Sequence, residues 1–330
     1  MVPIYIPWCK GLAQSKEALA ILKACPFISG VETLNSAGEL ELFQKAGLKV
    51  SIHNPIKMVN CGLSDKRLAS ELRKEENSYI LNSITSEDAE TAGFHTYNKT
   101  LPVFMHMVKN KPLPEWIHEK ESLEQIRENT IKNLLFLESM INSKGSNKKI
   151  LFETQPSTNY SKLKNPQNKV TGQEMIIMRK TGMMNTPEFI ASILNDKRIK
   201  DNKSIGFLFD TAHILISVKT MIESKEINDD VDSYFSKIIK ACKGRVFQLH
   251  IARPTIMAKG VYVDDQEALR KGDKMSKQVL SIAKQVLQAN PGIVSITLEI
   301  DTNLDPVGHA KKLVEQAGLV AKELNLKVEK

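Results

Sequence analysis

The sequence predicts a single (β/α)8 TIM barrel, an α/β fold of eight parallel strands each backed by a helix, spanning residues 1–330. Three observations predict it. Eight short β-rich runs recur along the chain. Segments of helical period lie between them. Acidic and imidazole residues fall at the C-terminal ends of successive runs, the ends that converge on one face of a barrel. An open, doubly wound sheet is the alternative, because strand order cannot be read from a sequence.

The elements follow in order. "PIYIP" (3–7) opens the series and is followed by the helical "SKEALAILKA". "SGVETL" (29–34) leads to "AGELELFQKA", and "KVSIH" (49–53) to "KRLASELRKEENSYILNSI". "TAGFH" (91–95) precedes "LEQIRENTIKNLLFLESMI", and "KILFET" (149–154) precedes "TPEFIASIL". "IGFLFD" (205–210) is apolar almost throughout, as expected of a strand covered on both faces. It leads to "DVDSYFSKIIKAC", with the "TAH" that follows Asp210 read as loop. "RVFQLHI" (245–251) and "VSITLEI" (294–300) complete the strands, with "MSKQVLSIAKQVLQA" between them and "DPVGHAKKLVEQAGLVAKEL" last. Thr186-Pro187 and Asp305-Pro306 carry the N-cap and first-turn proline of a helix start. Two connections, about 96–122 and about 155–186, are long enough to be functional, and both follow strands, so in a barrel both lie on the catalytic face.

Composition narrows the class. An apolar fraction of 42% is ordinary for a soluble globular protein. The 46 Lys and Arg outnumber 38 Asp and Glu, for a net charge of +8, a bias compatible with a phosphate-rich partner and equally with Lys-rich solvated helix faces. The four cysteines form no Cys-x-x-Cys pair and no disulfide framework. The N-terminal residues lack a secretion signal, and no run approaches the about eighteen apolar residues of a membrane helix. A cytoplasmic location is expected. No Gly-x-Gly-x-x-Gly or phosphate-loop motif follows any strand, which argues against a nucleotide fold.

The strand ends carry the chemistry. His53, His95, Glu153, Asp210 with His213, His250 and Glu299 stand at or next to the ends of six successive strands. A lone strand-end histidine is more often structural. Here four of only seven histidines fall on the pattern, while His106, His118 and His309 do not. Several buried carboxylates brought together cost several kcal/mol per unpaired charge, and neutral imidazoles do not offset that, whereas divalent cations do. Mixed imidazole and carboxylate donors suit Zn, Mn or Fe, and more ligands are present than one ion needs. Two ions bridged by a carboxylate would activate water for an in-line displacement. The loop after the fifth strand carries Lys162, Lys164, Lys169, Arg179 and Lys180 with Tyr160, a composition fit either to grip a phosphate backbone or to form a Lys/Asn-rich lid.

In order along the chain, "ILFETQ", "GFLFDTAH", "QLHI", "VDDQEALRKG" and "TLEI" resemble the xylose-isomerase-like metal barrels, and within them the endonuclease IV family of apurinic/apyrimidinic endonucleases. That resemblance runs from about His53 to Glu299. It implies a metal-dependent phosphodiesterase acting on DNA with abasic sites, with two or three divalent ions, Zn or Mn. His53, His95 and Glu153 would hold one ion. Glu153 would bridge to a second held by Asp210, His250 and Glu299, and His213 with Asp264 would hold part of a third. Glu153, Asp210 and Glu299 would be the catalytic core, and Lys162, Lys164, Arg253 and Lys271 would contact substrate. Two positions depart from the family pattern: Gln266 stands where a second histidine of the third site is expected, and Arg253 where the family has an acid.

A second resemblance, in "GVETLN", "GLKVSIHNP", "TPEFIASIL" and "YFSKI", is to the multinuclear iron-dependent oxidases. It implies iron and a cysteine-containing peptide or a small molecule as substrate. A sugar isomerase or epimerase on the same barrel is the third reading, and it predicts one ion among Glu153, Asp210, His250 and Glu299. A degenerate barrel that only binds nucleic acid is the non-enzymatic alternative.

Overall fold

The computed structural model describes residues 2–33, 39–55, 61–86, 89–95, 122–146, 148–156, 182–258, 261–302 and 304–327, and at Ser83, Glu90 and His95 the backbone only. Lys162, Lys164 and most of the two long connections therefore lie outside the described residues.

Eight strands pair in parallel and close on themselves: β1 (Ile4–Pro7), β2 (Ile28–Thr33), β3 (Lys49–His53), β4 (Ala89–His95), β5 (Lys149–Glu153), β6 (Ile205–Asp210), β7 (Val246–Ile251) and the last barrel strand, β10 (Ser295–Leu298). Closure is made by β10, which pairs with β7 on one side and with β1 on the other. That pairing removes the open-sheet alternative. The described helices are α1 (Lys16–Ala24), α2 (Glu39–Lys45), α3 (Leu68–Leu72), α4 (Ser78–Thr85), α5 (Leu123–Asn142), α6 (Pro187–Leu194), α7 (Thr211–Glu223), α8 (Val231–Ala241), α9 (Lys274–Ala289) and α10 (Pro306–Glu323). Among the described residues no helix is long and apolar enough to cross a membrane.

Helix starts follow local chemistry. Ser122 and Gln125 form a capping box at α5, and Thr186 and Asp305 accept first-turn backbone N–H groups ahead of Pro187 and Pro306. Three elements differ from the sequence expectation. The stretch 66–84, expected as one helical run, breaks into α3, a 3-10 turn at Glu75–Asn77 and α4. Residues 211–223 form a helix, α7, directly on the end of β6. An antiparallel hairpin, β8 (Arg253–Ala258) with β9 (Val261–Glu267), leaves the barrel one residue after β7 and packs against α7.

The apolar core lies largely between strands and helices, with Phe94, Phe152, Phe207 and Phe209 wholly buried. The barrel lumen is different. Thr91 of β4 donates to Gln248 of β7 at 3.0 Å, and Gln248 donates in turn to Glu32 of β2 and, at 3.0 Å, to Thr297 of β10. Neither β4 and β7 nor β7 and β2 are neighbours in the barrel, so the bonds from Thr91 to Gln248 and from Gln248 to Glu32 cross its interior. Because side chains alternate along a strand, the inward positions after Ser51, Gln248 and Thr297 are His53, His250 and Glu299, one layer nearer the C-terminal mouth.

Candidate metal centre

Glu153 ends β5, Asp210 ends β6, His250 is the penultimate residue of β7, and Glu299 follows β10. One ligand atom from each of these four lies within 4.8 Å of every other. Glu153 and His250 are wholly buried, Asp210 is 1% exposed, and the Glu299 side chain is 13% exposed, facing the mouth. His250 Nδ1 stands 3.1 Å from Glu299 Oε2 and 3.6 Å from Asp210 Oδ2.

Asp210 has two tasks. Its Oδ1 accepts the His213 backbone N–H at 2.7 Å and so caps α7. Its Oδ2 is buried and makes no hydrogen bond among the described residues. A buried carboxylate oxygen without a donor, beside two further carboxylates and an imidazole nitrogen, is what a hard or borderline divalent cation would satisfy. The oxygen and nitrogen donors, with no sulfur among them, fit such an ion.

His213 is not on a loop. It stands in the first turn of α7, with Nδ1 2.9 Å from both Glu153 Oε1 and the Thr154 carbonyl oxygen, and Nε2 3.0 Å from Asp264 Oδ2. Both ring nitrogens face acceptors, so although burial disfavours its charge, Asp210, Glu153 and Asp264 raise its pKa well above the ordinary value. Asp264 reaches it from the hairpin. Gln266, on the same strand, donates to Glu299 Oε1 at 2.7 Å and adopts the left-handed backbone at φ 48°. Of the residues that the resemblance assigns to a third ion, His213 and Asp264 stand within hydrogen-bond distance of each other, and the Gln266 amide braces Glu299.

His53 Nε2 lies 3.6 Å from Glu153 Oε2. His95 ends β4 in register with Glu153, and its side chain lies outside the described residues. Arg253 is directed elsewhere: it stands opposite Glu267 in the hairpin register and pairs with Glu267 and, at 3.0 Å, with Asp273, the N-cap of α9. The chain turns out of the barrel at Ala252, and Arg253, the first residue of β8, ties the hairpin to the start of α9 through these pairs. Lys271 is exposed on a groove of about 280 Å³ between α9 and α10, beside Arg270 and Lys277.

One residue of the centre was not expected. Glu32 of β2 is 5% exposed and places Oε1 3.0 Å from His250 Nε2 and 4.0 Å from His53 Nδ1. Its Oε2 accepts from Ser51 at 2.9 Å, from Thr297 at 3.3 Å and from Gln248. Burial alone would raise its pKa, but His250 first and then His53 and Ser51 outweigh it and bring it to about 2. The rule that found the other residues, an acid near the C-terminal end of a buried strand, applies equally to "GVETL". Glu299 moves the other way. Burial, with Asp210 and Glu153 adding to it, pushes its pKa to about 8 against the pull of His250.

Known structures supply the comparison. A D-tagatose 3-epimerase-like protein superposes with a TM-score of 0.54 at 16% identity, covering 98% of this chain and 99% of that one. A xylose isomerase-like TIM-barrel protein from Mycobacterium smegmatis, in complex with magnesium, gives 0.51 at 11% identity over 98% of both chains. The chain shares the TIM-barrel fold of these proteins. A 3-keto-D-glucoside 4-epimerase from E. coli also shares this fold, with a TM-score of 0.52 at 12% identity over 96% of this chain and all of that one. No protein-family profile and no curated protein sequence matches the chain. The four-residue cluster lies at the C-terminal ends of the barrel strands, where TIM barrels place their active sites.

Proposed function

We propose that the chain is a divalent-metal-dependent isomerase or epimerase acting on a sugar or a related α-hydroxy carbonyl compound. The observation that carries this reading is the buried four-residue cluster of Glu153, Asp210, His250 and Glu299, a complete ligand set for one ion that includes two glutamates able to exchange protons. The epimerase names of two structural neighbours support it. The ion would supply polarisation of the substrate's carbonyl and hydroxyl oxygens, which acidifies the adjacent C–H. Glu153 and Glu299 then act as the acid/base pair. Glu153 Oε1 is positioned by His213, and Glu299 Oε1 is held by the Gln266 amide, so each carboxylate keeps a fixed direction. The test is incubation of purified, metal-loaded protein with a panel of ketoses and keto-glycosides in D2O. Deuterium entering the carbon next to the carbonyl is expected. No exchange on any member, by protein that holds its ion, would overturn the reading.

A second reading, a multi-ion centre, has its own support in the Glu32–His53–His250 group beside the first cluster and in the His213–Asp264 pair. Its expected substrates are a DNA duplex with an abasic site, cut by phosphodiester hydrolysis, or a cysteine-containing peptide or small molecule oxidised with iron. More than one ion per chain, together with cleavage of abasic DNA or native iron, would select it.

A further inference from the structure

We infer that Glu32 is a positioning residue: it accepts a hydrogen bond from the Nε2–H of His250, which leaves the Nδ1 lone pair for the ion held with Glu153, Asp210 and Glu299, and the Glu32–His53–His250 group is not a second metal site. This inference rests on the metal reading given above.

His250 is shared by two acidic groups, with Nδ1 toward Glu299 and Asp210 and Nε2 toward Glu32 at 3.0 Å. A neutral imidazole has one lone pair and one N–H, so it can ligate on one side only and must donate on the other. The surroundings of Glu32 decide which. Its Oε2 accepts from Ser51, Thr297 and Gln248. Three accepted hydrogen bonds exclude a proton from Oε2 and favour the ionised carboxylate, whose Oε1 then accepts from a donor. His250 Nε2–H is the donor within reach. The direction of Gln248 is fixed in turn, because its Oε1 accepts from Thr91 at 3.0 Å and its amide nitrogen must therefore face Glu32 and Thr297. Five strands thus contribute to holding one carboxylate beneath one imidazole. Metal-bound histidines generally donate their other ring N–H to a carboxylate or carbonyl, and that partner fixes the tautomer. A cation placed at Glu32 would instead require Nε2 to be deprotonated, and would strip His250 from the cluster where Asp210 Oδ2 has no hydrogen-bond donor among the described residues.

The test reads the tautomer directly. Protein labelled with 15N-histidine is loaded with zinc, and long-range 1H–15N spectra are recorded. The seven histidines are few enough to assign by single His→Gln variants. The expected result is His250 protonated at Nε2 and metal-bound at Nδ1. Zinc titration of Glu32→Gln is expected to keep the wild-type stoichiometry while weakening affinity about 10- to 100-fold, the usual cost of losing such a partner. Ser51→Ala, which removes one of the donors holding Glu32, is expected to weaken it less. His250 protonated at Nδ1, or loss of one zinc equivalent in Glu32→Gln, would overturn the inference and leave the metal reading standing. Wild-type protein that takes up no zinc would overturn both. The spectrum of the wild type decides the matter even if Glu32→Gln fails to fold.

Discussion

Asp210 offers the most discriminating perturbation, because its two oxygens do different work. Oδ1 caps α7 and Oδ2 faces the ligand cluster. Asp210→Asn keeps a side-chain oxygen able to cap, since Asn and Asp are comparable N-caps, whereas Asp210→Ala removes the cap. In the metal-free proteins the Ala variant is therefore expected to be less stable than the Asn variant by about 1 kcal/mol. For a chain of 330 residues, an unfolding entropy of about 2.1 cal/mol/K per residue converts that to a Tm difference of roughly 1.4 °C. Both variants lose the anionic ligand. Metal affinity in both should fall by more than the roughly 10- to 100-fold that attends loss of an outer partner. Denaturant titration of the metal-free proteins and competition titration with a chromogenic chelator measure the two effects separately. Asp210→Asn binding metal as tightly as wild type would refute the reasoning, because the carboxylate would then be a cap and nothing more.

Three further outcomes follow from the geometry. With its pKa near 8, Glu299 holds a proton at pH 7 in the metal-free protein, so metal uptake must release at least one proton, and affinity rises with pH toward about 8. Calorimetry in buffers of different ionisation heat counts the protons, and none released at pH 7 would contradict the assignment. The same shift has a sign for stability: between the ordinary 4.5 and about 8 the folded chain holds a proton that the unfolded chain has lost, so this group makes the metal-free protein less stable as pH rises through that window. Denaturant midpoints at pH 5 and 8 check it, with a higher midpoint expected at pH 5. In Gly206→Ala the new Cβ would meet the Phe247 ring and stand 2.7 Å from the Arg245 carbonyl oxygen. The backbone atom cannot move aside as a side chain can, so a loss of about 1–3 kcal/mol is expected, and an unchanged Tm would show that β6 and β7 separate freely.

The barrel and most of the centre were legible because they rest on local signals. Short apolar runs alternate with amphipathic stretches, and strand-end acids and histidines stand out against them. The misses have physical causes. Helix α7 sits under the hairpin and buries most of its length, Thr211–Val218 without a break, so "TAHILISVK" has no polar face and no period to read. Only Ala252 separates β7, which ends where the sequence places it, from β8, and no turn signal between them marks the hairpin that leaves the barrel there. Glu32 was passed over because its partners are long-range: Gln248 and Thr297 lie 216 and 265 residues away along the chain. The roles of Gln266 and Arg253 were equally hidden, since both are set by the hairpin that brings them beside Glu299 and Glu267.

Metal content and position test the central claim most directly. The protein is crystallised with manganese or zinc and an anomalous difference map is recorded, alongside elemental analysis. The account predicts one ion per chain, ligated by Glu153, Asp210, His250 through Nδ1, and Glu299. Two or more ions, or one ligated by Glu32 and His53, would contradict it.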